Sequence, residues 1–123
     1  MEQGLTYTTT MRVVVETTAD YIGSGDLAVL ATPAMCALME GAAMMAVAPH
    51  LEAGQTTVGT ALNIEHLRAT PVGGIVSATA RLVGEEGRAL HFEIEACDEK
   101  GVIGKGTHTR FVVDRERFMA KLK

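Results

Sequence analysis

Thr32-Pro33-Ala34-Met35-Cys36-Ala37-Leu38-Met39-Glu40-Gly41-Ala42-Ala43-Met44-Met45-Ala46-Val47-Ala48-Pro49 is apolar on every side, and Glu40 is its only charged side chain. Thr32-Pro33 has the form of a helix start, a Ser/Thr N-cap followed by proline at the first helical position, where its missing N–H costs no bond. Pro49 and, further on, Gly54 mark the stop. The stretch predicts one helix over about Pro33–Ala48, roughly 24 Å long at the α-helical rise. A helix without a polar face must be surrounded, so the rest of the chain has to cover it. It is a core helix and not a membrane span, because Thr32-Pro33 and Glu40 interrupt the region before a charge-free run reaches the roughly 18 residues that a bilayer requires.

The flanking sequence supplies the cover. Leu5, Tyr7, Thr9, Met11, Val13 and Val15 alternate with Thr6, Thr8, Thr10 and Arg12, the period of a half-buried strand, and Gly23-Ser24-Gly25-Asp26 then forms a loop. After the helix come four β-like stretches, at about Thr56–Thr70, Gly74–Gly84, Arg88–Cys97 and Val102–Val113. Turn signals at Pro71-Val72-Gly73-Gly74, Glu85-Glu86-Gly87 and Asp98-Glu99-Lys100-Gly101 separate them, and such short turns make successive stretches antiparallel neighbours. In the third, Leu90, Phe92, Ile94 and Ala96 face in while His91, Glu93 and Glu95 face out. Asp114 is placed to cap a short final helix through Phe118 and Leu122. Strand, buried helix and four antiparallel strands define an α+β class. The plan resembles the hotdog fold, an antiparallel sheet wrapped around one long apolar central helix. Open sheet edges and the helix both favour a second copy, giving a homodimer or, if dimers pair again, a tetramer.

Composition narrows the function. The 123 residues are 47% hydrophobic and 21% charged, a single globular domain spanning 1–123. With 3 Phe, 2 Tyr and no Trp, the core must be built from Val, Leu, Ile, Met and Ala. Eleven basic against fifteen acidic residues give a net charge of −4, and no basic cluster develops, so nucleic acid is not an expected partner. The N-terminus lacks the basic and apolar regions of a signal peptide, and no membrane association is expected. Cys36 and Cys97 have no metal-ligand spacing and read as free thiols of a reducing cytoplasm.

Three residues break the pattern. An ionised Glu40 on an apolar helix must be paired, reach water or become neutral, and carboxylates so placed are typical general bases. His66 shares a strand face with Val58, Thr60, Leu62 and Ile64, so it should point at the helix, where Glu40 and His66 could pair and tune each other. Thr32 has an ordinary explanation as N-cap, and it lies eight residues from Glu40, roughly 12 Å along a straight helix. The two share a site only if the Thr32 segment folds back or comes from a partner chain. The N–H groups of Ala34 and Met35, at the positive end of the helix, are candidates to polarise a carbonyl oxygen. His50, His91 and His108 read as surface or helix-end residues, and no metal site is expected. Met35, Met39, Met44 and Met45 are core filler, adaptable enough to line an acyl pocket.

The stretch Ala31–Glu40, then Ala48-Pro49-His50-Leu51-Glu52, Val58-Gly59-Thr60-Ala61, His66, Ala69-Thr70-Pro71 and Gly104-x-Gly106-Thr107-His108-x-Arg110, resembles the fluoroacetyl-CoA thioesterase type of hotdog enzyme. The resemblance covers about residues 27 to 121. It implies a catalytic constellation of a Thr, a Glu eight residues on and a His twenty-six further, the separations of Thr32, Glu40 and His66. It also implies a place for Gly59 beside the thioester and for Arg110 near the pocket mouth or coenzyme A. No cofactor is implied, since coenzyme A enters as part of the substrate. Fluoroacetyl specialists carry phenylalanines before the catalytic Thr, whereas this chain has Gly23 and Asp26 there and no Phe before position 92. The expected activity is therefore hydrolysis of a small acyl-CoA in general. The alternatives are a hotdog module that binds acyl-CoA or another small ligand without turnover, and an enoyl-CoA hydratase-type hotdog enzyme, whose paired Asp and His lie on one segment.

Overall fold

Alternation along the chain builds the strands, and the computed structural model describes all of residues 1–123. The elements are β1 (Thr6–Arg12), α1 (Ala19–Ile22), α2 (Thr32–Val47), β2 (Gln55–His66), β3 (Ile75–Glu86), β4 (Ala89–Asp98), β5 (Gly101–Asp114) and α3 (Arg115–Ala120). Val76, Ala78, Ala80 and Leu82 on β3, and Leu90, Phe92, Ile94 and Ala96 on β4, are buried, while the residues between them face outward. Two-residue turns join β3 to β4 and β4 to β5. Gly87, with φ of 59°, takes the left-handed conformation that the first of them needs. Asp114 caps α3 as expected, accepting from the Arg117 N–H at 3.0 Å.

The five strands form one antiparallel sheet in the order β1-β3-β4-β5-β2. β2 and β3, expected as neighbours, lie apart: β2 occupies an edge beside β5. The connection between them is tied down elsewhere and closes no hairpin. The N–H groups of Leu67 and Arg68 donate to the Ile103 carbonyl, Thr70 Oγ1 donates to Asp98 Oδ2 (2.9 Å), and the Leu30 N–H donates to the Thr70 carbonyl (2.9 Å). These bonds carry the chain across the sheet end and past the start of α2.

α2 buries Met35, Met39, Ala42, Ala43, Ala46 and Val47, a stripe at spacings of three and four, against the inner face of the sheet. Alanines on both surfaces, including Ala78 and Ala80, permit a close approach. The sheet covers one side of the helix only. Pro33, Ala37, Met44 and Met45 stay exposed, so the expectation of a fully surrounded helix is not met within one chain, and only half of the four methionines are core filler. The reason is geometric: a single five-stranded sheet curls around half of a helix.

Candidate active site

The structure groups the expected residues into two clusters on the same side of α2. At the helix start, Thr32 is the first helical residue and Ala31 the cap, one position from the expectation. The Thr32 hydroxyl is therefore not spent on capping. It hydrogen-bonds His66 Nδ1 at 2.8 Å, across from the end of β2. Burial holds His66 below the ordinary imidazole range, so the ring is neutral at pH 7, and its Nε2 is buried without a hydrogen-bond partner. A cavity of about 270 Å³, lined by Val29, Leu30, Thr32, His66 and Leu67 among others, opens beside the pair.

The donors expected from the helix start are engaged. The N–H groups of Ala34 and Met35 both donate to the Ala31 carbonyl, at 3.0 and 3.1 Å, because the first turn closes back on its cap. Pro33 has no N–H. The Thr32 N–H is the first-turn donor without an acceptor in the chain.

Two turns along α2, Glu40 forms the second cluster. Its side chain is 41% exposed, so the buried carboxylate expected from the sequence is instead half in water. Its Oε2 lies 3.6 Å from Arg110 Nη1 and 3.6 Å from His108 Nε2. Arg110, only 7% exposed, donates from Nε to Thr57 Oγ1 (2.8 Å) and from Nη2 to the Thr57 carbonyl (3.0 Å). Its charge survives burial, although burial lowers its proton affinity and Glu40 opposes that shift. The expected Glu40–His66 pair does not form in one chain: His66 takes Thr32, and Glu40 takes Arg110 and His108.

A β-bulge explains both the cluster and a misread phase. Between Gly59 and Ala61 the register of β2 against β5 shifts by one residue at Thr60. Before the bulge Thr57 and Gly59 face the helix, and after it Leu62, Ile64 and His66 do, so Val58 and Thr60 do not share the His66 face. Gly59 thereby comes against Glu40. A Cβ there would overlap Glu40 Oε2 and sit 3.2 Å from His108 Cε1 and 3.3 Å from Arg110 Nη1.

His108 corrects a further expectation. It is 2% exposed and not on the surface. Its Nδ1 donates to the Ala61 carbonyl (2.7 Å), and its Nε2 faces Arg110 Nη1 at 3.2 Å. The available signal was the alternation His108-x-Arg110-x-Val112, which puts two polar residues on the buried face of β5. Polarity hid it, because inward faces are expected to be apolar.

Comparison with known proteins agrees with the fold. Residues 13–116 match the family described as fluoroacetyl-CoA-specific thioesterase. The fluoroacetyl-CoA thioesterase of Streptantibioticus cattleyicolor is 45% identical over 95 residues, 77% of this chain and 68% of that protein. A variant of the fluoroacetyl-CoA thioesterase FlK, solved in complex with acetyl-CoA, has a TM-score of 0.93 at 37% identity, over 99% of this chain and 96% of that one. A hot-dog-like protein from Thermanaerovibrio acidaminovorans shares the fold at 20% identity, with a TM-score of 0.90 over 99% and 90% of the two chains. Sheet order, central helix and these likenesses define a hotdog protein of the thioesterase kind. The chain belongs to the fluoroacetyl-CoA-specific thioesterase family. No helix is long and apolar enough to cross a membrane.

Proposed function

We propose that the protein hydrolyses the thioester of a small acyl-CoA, with Glu40 as general base or nucleophile and with Thr32 and His66 orienting and stabilising. The observation that carries this is the state of Glu40: the lone charge of an apolar helix, open to water on one side and set beside the buried Arg110 cation on the other. As base, Glu40 takes a proton from water while the water oxygen bonds to the thioester carbonyl carbon. The C–S bond then breaks and the thiolate recovers the proton. As nucleophile, a Glu40 oxygen forms that bond, the thiolate leaves, and water opens the resulting anhydride. The Thr32 hydroxyl, accepting from His66 Nδ1–H, and the Thr32 N–H are the donors for the carbonyl oxygen in this scheme, in place of the engaged Ala34 and Met35 amides. Gly59 provides room beside Glu40, and Arg110 holds its charge. No cofactor takes part, because coenzyme A arrives with the substrate.

The reading also requires a homodimer. Thr32 lies in the same unbroken helix as Glu40, roughly 12 Å away, so the Thr32 segment does not fold back to it. A second copy supplies the missing half, with Thr32 and His66 of one protomer meeting Glu40 of the other. The uncovered side of α2 and the open edge of β2 support that pairing. The free thiols of Cys36 and Cys97 support a cytoplasmic setting. The absence of a phenylalanine before position 92 favours small acyl groups in general over fluoroacetyl alone.

Thiol release from a series of acyl-CoAs tests the proposal. Glu40→Gln and His66→Ala should each lower it at least about a hundredfold, the scale of a lost general base, with circular dichroism unchanged. Activity retained in both variants overturns the assignment.

A further inference from the structure

We infer that His108, as a neutral ring protonated on Nδ1, is a positioning residue: it holds the Arg110 guanidinium against Glu40 and so aims the carboxylate. The inference rests on Glu40 being the reacting group, and it goes beyond that by adding a residue that touches no substrate. The tautomer follows from the partners. Nδ1 faces the Ala61 carbonyl at 2.7 Å, and a carbonyl can only accept, so Nδ1 carries the proton. Nε2 faces Arg110 Nη1 at 3.2 Å, and a guanidinium can only donate, so Nε2 carries the lone pair. Both ring nitrogens are then satisfied by a neutral ring, and burial, which pushes the imidazole below its ordinary range, favours the same state.

The ring is also mechanically fixed. Its cross-strand partners are Phe92 on β4 and Leu62 on β2, and the Phe92 ring lies 6.1 Å away, centroid to centroid. Arg110 is thus held at three points: two bonds to Thr57 place Nε and Nη2, and His108 places Nη1, the nitrogen nearest Glu40. Remove the His108 acceptor and Nη1 is free to swing, with the Glu40 carboxylate losing its fixed neighbour. Protonate His108 and an N–H meets an N–H beside a second cation. The charged groups facing the ring are Glu40 from α2 and Arg110 from β5, and those packed on it from β4 and β2, Phe92 and Leu62, do not titrate.

Two substitutions separate positioning from packing. His108→Asn keeps a donor for Ala61 and loses the Nε2 acceptor, whereas the Gln side chain of His108→Gln reaches far enough to present an acceptor to Arg110. Asn should lower kcat for acyl-CoA hydrolysis about ten- to a hundredfold, the scale of slightly misplaced catalytic groups, with KM little changed. Gln should recover most of that loss. Equal loss in both variants, or none in either, overturns the inference. If the Asn variant does not fold, the Gln variant decides, and a kcat lowered in it as far as is expected for Asn overturns the inference. Nitrogen-15 NMR of histidine-labelled wild-type protein at pH 7 reads the tautomer independently of activity: protonated Nδ1 and bare Nε2 are expected at His108, and any other state overturns it. A wild-type protein inactive on every acyl-CoA would defeat the thioesterase proposal, and the NMR result would still stand as the test of the His108 arrangement.

Discussion

Glu40 is held within a space that only glycine leaves open. Alanine at Gly59 would press on Glu40 Oε2 with His108 and Arg110 close behind, yet the site lies on an edge strand with ordinary backbone angles. Gly59→Ala is therefore expected to lower kcat at least about tenfold by displacing the carboxylate, while the thermal unfolding midpoint moves little; kinetics and calorimetry on the same preparation check both. The partly buried His66 and the buried His108 set a pH dependence of stability. His66 and His108 titrate below the ordinary imidazole value of 6.5 because burial disfavours their cations. Between the folded and unfolded values the unfolded chain binds more protons, so stability is full above pH 6.5 and falls as the pH drops towards the folded values. Urea unfolding at pH 7.5 and 5.5 should show this drop, and a smaller one in His66→Gln; an unchanged drop in that variant would show that His66 is not a source. At this scale the sequence revealed Glu40 and His66 as misfits in apolar surroundings. It concealed the burial of His108, because its Nδ1 partner, the Ala61 carbonyl, lies on another strand that nothing local marks.

The bulge in β2 and the half-covered α2 decide what the elements can do. A single extra residue at Thr60 turns Thr57 and Gly59 to the inner face while keeping His66 there, and an unbulged strand cannot present both. Alternation alone assigns Val58 and Thr60 to the wrong side, because the one trace of the bulge, Gly59 inside the strand, does not by itself say where the phase shifts. The helix was legible from the prolines Pro33 and Pro49 near its two ends, its length and its apolar run, because those are local properties. Met39 is fully buried in the core that α2 forms with the sheet. Met39→Ala should cost about 2–5 kcal/mol of unfolding free energy by leaving a cavity. A cost below about 1 kcal/mol in urea titration would mean that the helix repacks freely, contrary to the dense alanine-rich contact seen here.

For the whole molecule, the proposed pairing of the two clusters on α2 makes activity a property of two chains. If each site joins Glu40 of one protomer to Thr32 and His66 of the other, Glu40→Gln and Thr32→Ala are each inactive as homodimers and complement one another. A random mixture, unfolded and refolded together, forms about half heterodimers, each with one intact site, so it should regain about a quarter of wild-type activity. No recovery above the sum of the separate variants would place the whole site within one chain. The sequence by itself determined the helix, the inward and outward faces of β3 and β4, the cap of α3 and the singular charge at Glu40. Each of these follows from periodicity or burial cost within a short window. Only the tertiary structure decided that β2 lies beside β5, that the bulge reverses its phase, that the Ala34 and Met35 amides are spent on Ala31, and that His108 and Arg110 surround Glu40. Those outcomes depend on pairing between distant segments, where a shift of one residue turns every side chain to the other face.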